Sequence, residues 1–197
     1  MRPFNKNKFG LKRREGFTLI ELLVVIAIVA ILSIVVLLTL NPAELLRQAR
    51  DSDRISDLST LKSAVSLYLA DVILPNVMSS SYRCWIDGPS TNTCSGWFPT
   101  TSATSTTNSR AVDGTGWVPV NFKTISSGAP FGQLPLDPKN DVNFFYSYTG
   151  TSSLNGFKMA AKIESTKYGT PGTTNGVIDD DGGVDPTTYE QGTNLAM

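Results

Sequence analysis

The sequence predicts an α+β fold: a long N-terminal helix, membrane-spanning in its first half and amphipathic in its second, packed on a small antiparallel β-sheet. Three observations carry this prediction. Residues 17–40 hold a single charge, Glu21, in 24 positions. Residues 43–72 repeat apolar side chains mostly at three- and four-residue intervals, the period of one helix face. Beyond Pro75 that period disappears, and residues 156–165 show the two-residue alternation of a strand.

The apolar segment comes first. A membrane-spanning helix needs about 20 mostly apolar residues, because each rises about 1.5 Å through a hydrocarbon core of about 30 Å. From Leu22 to Leu40 nothing is ionisable. The apolar side chains surround the helix, which suits lipid or a helix-packed interior. Arg2, Lys6, Lys8, Lys12, Arg13 and Arg14 precede it, against one acid, Glu15. A basic flank stays cytoplasmic, so residues 1–16 are expected inside and the rest of the chain outside. No small-residue cleavage site follows at residues 37–44, so the helix is expected to be retained.

Glu21 is the exception within this segment. A carboxylate in an apolar helix is expensive and generally marks a function with a partner. It lies one turn after Phe17, on the same face. If the chain were cut after Gly16, Phe17 would carry a new α-amino cation, able to pair with the Glu21 carboxylate of its own or a neighbouring chain. The competing reading places Glu21 among the headgroups, where it merely favours the helix N-terminus.

The run Gly16-Phe17-Thr18-Leu19-Ile20-Glu21, behind a short basic leader and ahead of an apolar helix, resembles the N-terminus of type IV prepilins and type II secretion pseudopilins. The resemblance covers residues 16–38 and implies a type IV pilin-like fold. It implies that a prepilin peptidase cleaves between Gly16 and Phe17, and that the Phe17 amine is then N-methylated. It further implies that Glu21 neutralises the Phe17 amine of an adjacent subunit during assembly. The implied partners are identical subunits in a helical filament, the peptidase and an inner-membrane assembly platform. The implied location is the bacterial inner membrane, single-pass with the C-terminus outside, and afterwards a pilus on the cell surface or a periplasmic pseudopilus.

Composition narrows the function. The chain has 17 basic and 17 acidic residues; without the leader's six basic residues and one acid, 11 and 16 remain, a net charge of −5. A mildly acidic mature chain carries no general electrostatic footprint for nucleic acid. There is no His, which removes the commonest general base and metal ligand. Cys84 and Cys94 lie in the segment expected outside, where an even count suggests a disulfide; two free thiols are the alternative.

Four regions follow: a cleaved leader at 1–16, a transmembrane and assembly helix at 17–40, an amphipathic helix half at 41–74, and a globular β-sheet region at 75–197. Asn41-Pro42-Ala43-Glu44 interrupts the apolar run, and is read as a kink or restart with Asn41 as N-cap and Glu44 as its third-position partner. Leu45, Ile55, Leu58, Leu61, Val65, Leu69 and Val72 make the apolar stripe, widened by Leu46, Ala64 and Leu67. The charged stretch 47–57 is read as a solvated face, because exposed ion pairs contribute little. Leu74-Pro75 ends the helix.

A long loop, 76–116, is rich in Ser, Thr, Asn and Gly. A bridge between Cys84 and Cys94 would stabilise it by about 2–4 kcal/mol in the chain-entropy picture. Its run 99–109 reads as a surface loop, bare or glycosylated. Residues 117–122 are a strand candidate, and Leu134-Pro135-Leu136-Asp137-Pro138 is a rigid turn. Residues 143–149 and 156–165 read as an antiparallel hairpin, with Phe157, Met159, Ala161 and Ile163 facing the helix and Lys158, Ala160, Lys162 and Glu164 facing away. The acidic loop 176–186 has the composition of a hard-cation site, since calcium takes six to eight oxygens on a sharply turning loop. Its spacing does not fit an EF-hand. Asp179, Asp181 and Asp185 are the candidate ligands, with a solvated acidic turn as the alternative; no other cofactor is called for.

The leading function is therefore a structural filament subunit that catalyses nothing, a type IV pilin. A major pseudopilin of a type II secretion system is the alternative, favoured by the LPLDP turn and the acidic loop. A minor or tip pilin in adhesion or DNA uptake ranks lower, because the lysines are too scattered for a nucleic-acid stripe. No nucleophile elbow or phosphate loop supports a membrane-anchored enzyme.

Overall fold

A computed structural model describes residues 16–79, 82–86, 109–151, 156–169 and 176–197. Residues 1–15 of the leader, Cys94, most of the 99–109 run and the tip of the 150–155 hairpin loop lie outside these residues. The chain divides into two units, Met1–Pro42 and Ala43–Met197.

The first unit contains helix α1, Leu19–Leu40. Its segment Leu19–Leu37 has a mean hydropathy of 3.2, and none of it is buried, so an apolar surface long enough to cross a membrane is open all round. Thr18 opens the helix as N-cap, and Asn41 closes it in a left-handed conformation, φ 40°, which Asn adopts more readily than other non-glycine residues. The N-cap reading of Asn41 is thus corrected: it is the C-cap of the helix before it. Pro42 follows as the first residue of the next helix, where its missing N–H is harmless.

The second unit is built on helix α2, Pro42–Asp71, and a four-stranded antiparallel sheet ordered β1-β2-β3-β4. The strands are β1 Arg83–Cys84, β2 Tyr146–Gly150, β3 Phe157–Lys162 and β4 Thr188–Gly192. A single turn, α3 Thr166–Gly169, follows β3. The α2 stripe buries Leu58, Leu61, Ala64, Val65 and Tyr68, with Ile55, Leu69 and Val72 packed at its edge. Leu45, Leu46 and Leu67 are exposed instead, and Tyr68 takes a core place. The sheet returns Tyr146, Tyr148, Phe157, Met159, Ala161 and Tyr189 to the same core. Each Leu, Val, Phe or Met side chain so removed from water contributes about 1.5–3 kcal/mol.

The hairpin reading of β2 and β3 holds, with Tyr146 opposite Ala161 and Tyr148 opposite Met159. The expectation of a polar outer face on β3 is only partly met. Cys84, Ser147, Ala160 and Glu190 form one cross-strand row on that face, and all four are buried. Cys84 joins Ile86 and Phe145 in a second small apolar cluster there.

Residues 117–122 do not form the expected strand. They run irregularly to a 3-10 turn, Phe122–Thr124, with one isolated bridge between Asp113 and Asn121. Their apolar content is still used: Trp117, Val118, Val120 and Phe122 are fully buried, and the Trp117 indole N–H donates to the Pro135 carbonyl at 3.1 Å.

Candidate assembly site and the charged head

The residues expected to serve cleavage and assembly, Gly16, Phe17 and Glu21, sit together at the start of α1. Gly16 and Phe17 are exposed, and a side chain added at Gly16 would meet nothing within 4 Å. The peptide bond between them is open to a large partner. Phe17 and Glu21 line one shallow concavity with Ile20, Val24 and Val25. A largely apolar concavity thus carries a carboxylate.

That carboxylate has a local partner that the sequence reading passed over. The Thr18 backbone N–H and hydroxyl both donate to Glu21 Oε2, at 2.8 and 2.7 Å, and the Glu21 N–H donates to the Thr18 hydroxyl at 3.3 Å. This is a capping box, in which two otherwise orphaned donors of the helix start are satisfied reciprocally. The signal was readable: Thr at the cap with Glu three residues on. Glu21 is thus held by its own first turn through Oε2.

The second concentration of chemistry lies on α2. Arg54 is fully buried. Its guanidinium forks onto Asp137, Nε to Oδ2 at 2.6 Å and Nη2 to Oδ1 at 2.9 Å, and donates to Asp51 at 2.7 Å. The same Nη2 also lies 2.7 Å from Glu164 Oε1. Glu164 in turn receives a bidentate pair from Arg50, at 2.9 and 2.8 Å, and the Lys139 ammonium at 2.7 Å. Asp51 also accepts from the backbone N–H groups of Glu164 and Ser165. The Phe144 ring lies 5.0 Å from the Arg54 guanidinium and 4.2 Å from the Lys139 ammonium.

Solvated-face expectations for 47–57 therefore fail at Asp51 and Arg54, which are fully buried. Their partners are Asp137 of the LPLDP turn, 83 residues away, and residues 164 and 165 just after β3. The cluster ties α2 to both. Burial pushes the Glu164 carboxyl up, but hydrogen bonds from Arg50, Lys139 and Arg54 outweigh it and hold the group at about 2. The same carboxylates hold the Arg54 guanidinium above its usual value in spite of burial. Next to the cluster, burial raises the Asp57 carboxyl even though the Tyr146 hydroxyl donates to it at 2.8 Å. Glu44, expected to cap α2, instead accepts from the N–H and hydroxyl of Thr166, at 2.7 and 2.8 Å.

Of the two cysteines expected to pair, Cys84 is fully buried and Cys94 lies outside the described residues. The acidic loop is organised by hydrogen bonds. Asp181 accepts from Gly183 N–H at 2.6 Å and Glu190 N–H at 2.7 Å, one on each oxygen. Asp185 Oδ1 accepts from the N–H and hydroxyl of Thr187. Glu190 accepts from Val184 N–H at 2.7 Å and meets the buried Lys158 ammonium at 2.9 Å. Burial raises the Asp181 carboxyl. Among the described residues no three acidic, Cys or His side chains converge on one point. Asp179, Asp181 and Asp185, the candidate calcium ligands, form no such cluster.

Against known proteins, residues 11–37 match the family described as the prokaryotic N-terminal methylation motif. This is the prepilin signature of type IV pilins and pseudopilins, and the stretch matched includes Gly16, Phe17, Thr18 and Glu21. No curated protein and no solved structure matches the chain.

Proposed function

We propose, for a chain that carries the prepilin signature on a type IV pilin-like α+β fold, that it is the structural subunit of a type IV pilus-like filament. Membership of the pilin–pseudopilin group makes a structural role the ordinary one. The observation that carries the proposal is Glu21: the one ionisable side chain of α1, sharing a concavity with Phe17, in a helix whose apolar surface is otherwise uncovered.

In this reading the chain waits in the inner membrane, is cut after Gly16 and is methylated at Phe17. It is then extracted by an assembly platform into a fibre of identical subunits. Burial of α1 against its copies replaces lipid contact. Pairing of Glu21 with a neighbour's Phe17 amine fixes the stagger, since a charge pair in an apolar medium tolerates little displacement. No catalytic group is required of this chain.

Mass spectrometry of the mature protein tests the first half: the chain should begin at methylated Phe17, and mature material still carrying Met1 overturns it. Glu21→Ala tests the second: it should be processed normally yet fail to assemble, and normal fibres from it would remove Glu21 from the mechanism. The pseudopilus of a secretion system is the second reading, favoured by the LPLDP turn and the acidic loop. Electron microscopy with antibody labelling separates the two: long extracellular filaments support the pilus, confinement to the envelope the pseudopilus.

A further inference from the structure

The charges of the head are sorted by burial. Around the first turns of α2 the acids point inward: Asp51 and Asp137 are buried, and the Glu164 side chain is 4 % exposed. Arg54, which pairs with all three, is buried with them, but the other cations nearby keep part of their surface outside. The Arg47 side chain is 50 % exposed, Lys139 36 % and Arg50 28 %. Lys162, 5.8 Å from the Phe144 ring that Lys139 also covers, is exposed. So is Lys167, in the turn whose first residue is held by Glu44, the partner of Arg47. Five cations thus share one neighbourhood, with the exposed carboxylate of Asp53 on the same turns of α2. Leu45 and Leu46, just before them, are 50 % and 62 % exposed.

Chain length fixes where this face can be. Arg47 is seven residues beyond Leu40, the end of the apolar helix. An extended chain of seven residues spans at most about 25 Å, and a helical one about 10 Å. Whatever conformation the chain takes at Asn41, connectivity keeps Arg47 within about 25 Å of the end of α1. Two exposed leucines followed by arginines and lysines match the order of a membrane surface, acyl boundary first and headgroup phosphate next.

We propose that this face, Leu45, Leu46, Arg47, Arg50, Lys162 and Lys167, docks the head onto anionic phospholipid headgroups while the subunit waits in the membrane. The proposal rests on the reading of α1 as a membrane anchor. Anionic lipid then retains the unassembled subunit, and extraction into a fibre has to break these contacts as well as remove the helix from lipid.

The test uses the full-length chain, one copy per nanodisc, in phosphatidylcholine alone and in a phosphatidylcholine–phosphatidylglycerol mixture. Lysine acetylation by a water-soluble reagent is followed residue by residue by mass spectrometry. Lys162 and Lys167 should react about fivefold more slowly in the anionic discs, the factor that corresponds to about 1 kcal/mol per cation at such a surface. High salt should abolish the difference. Lys123 is the internal control: it is exposed and lies near Ser126, which Asp71 holds at the far end of α2. Charge reversal at Arg47, which is half exposed and outside the buried ion cluster, should speed labelling of Lys162 and Lys167 in the anionic discs with the urea midpoint unchanged.

Equal rates in the two lipids overturn the proposal. So does slowing of Lys123 to the same extent, which would mean general crowding. Protection that appears only when several copies share a neutral disc assigns the face to a second copy instead. A chain that enters discs of neither lipid overturns the anchor reading beneath the proposal, an outcome visible before any labelling.

Discussion

Arg54→Met removes one cation from the interior of the head and leaves Asp51, Asp137 and Glu164 without it. Removing one partner of a buried ion pair costs about 3–5 kcal/mol, because the remaining charge is left uncompensated. Three carboxylates depend on Arg54 here, so the upper half of that range is expected, against a total stability of about 5–15 kcal/mol for an ordinary domain. With a urea slope of about 2 kcal/mol per molar, a loss of about 4 kcal/mol moves the midpoint down by about 2 M. The full-length chain in detergent micelles, followed by tryptophan fluorescence, gives the reading, since Trp117 is fully buried in the affected unit.

The pH dependence makes the test sharper. Glu164 titrates at about 2 when folded, against an ordinary 4.5. A depressed folded value contributes stability that is complete above 4.5 and lost as the pH falls through 2, about 3 kcal/mol in all. The wild type should therefore weaken steadily below pH 4.5. In Arg54→Met Glu164 loses one of the three cations that hold its carboxyl low, so less of this stability remains to be lost in acid and the gap to wild type narrows over the same range. A gap under about 1 kcal/mol at pH 7, or a gap that does not change with pH, would refute the account of this cluster as a charge-balanced clamp.

Four further outcomes follow from contacts elsewhere. Arg54→Lys keeps the charge but cannot fork onto Asp137, and should cost about 1.5–3 kcal/mol in the same urea assay. Lys158→Met strands the fully buried Glu190 and should lose about 3–5 kcal/mol, with amide exchange in β4 rising first. Tyr148→Phe deletes the hydroxyl that donates to the Val77 carbonyl at 2.6 Å and should cost about 1–3 kcal/mol; an unchanged melting temperature would mean that the carbonyl finds another donor. Calcium added at millimolar level, compared with a chelator, should leave the melting temperature unchanged, and a rise of several degrees would show that the acidic loop rearranges around a cation.

What could be read from the sequence was whatever a local pattern specifies. The span of α1 follows from 24 residues with one charge, and the core face of α2 from Leu58, Leu61 and Val65 at helical spacing. The alternation in 157–163 placed one face of β3 correctly. Pairings over long separations left no such pattern. Arg54 beside Asp51 and Asp57 looks like any exposed charged turn until Asp137 and Glu164 arrive from 83 and 110 residues on. β4 was missed because Thr188-Tyr-Glu-Gln-Gly192 presents one apolar side chain to the core, and its buried Glu190 is credible only against Lys158 on the neighbouring strand. Residues 117–122 misled for the opposite reason: their apolar content is that of a strand, but they meet the core from an irregular path.

The placement of the ion cluster has a mechanical consequence. Any pull passed along the backbone from Leu40 enters the head at Ala43. The side chains it loads early are Glu44, Arg50 and Arg54, each fastened to residues 164–166 or to Asp137. Several short bonds there share tension in parallel, and the apolar interior begins beyond them at Leu58. A rope made fast close to where it is hauled leaves the rest of the load slack. By the same logic the head can be dragged by its helix without its centre being strained until that fastening gives way.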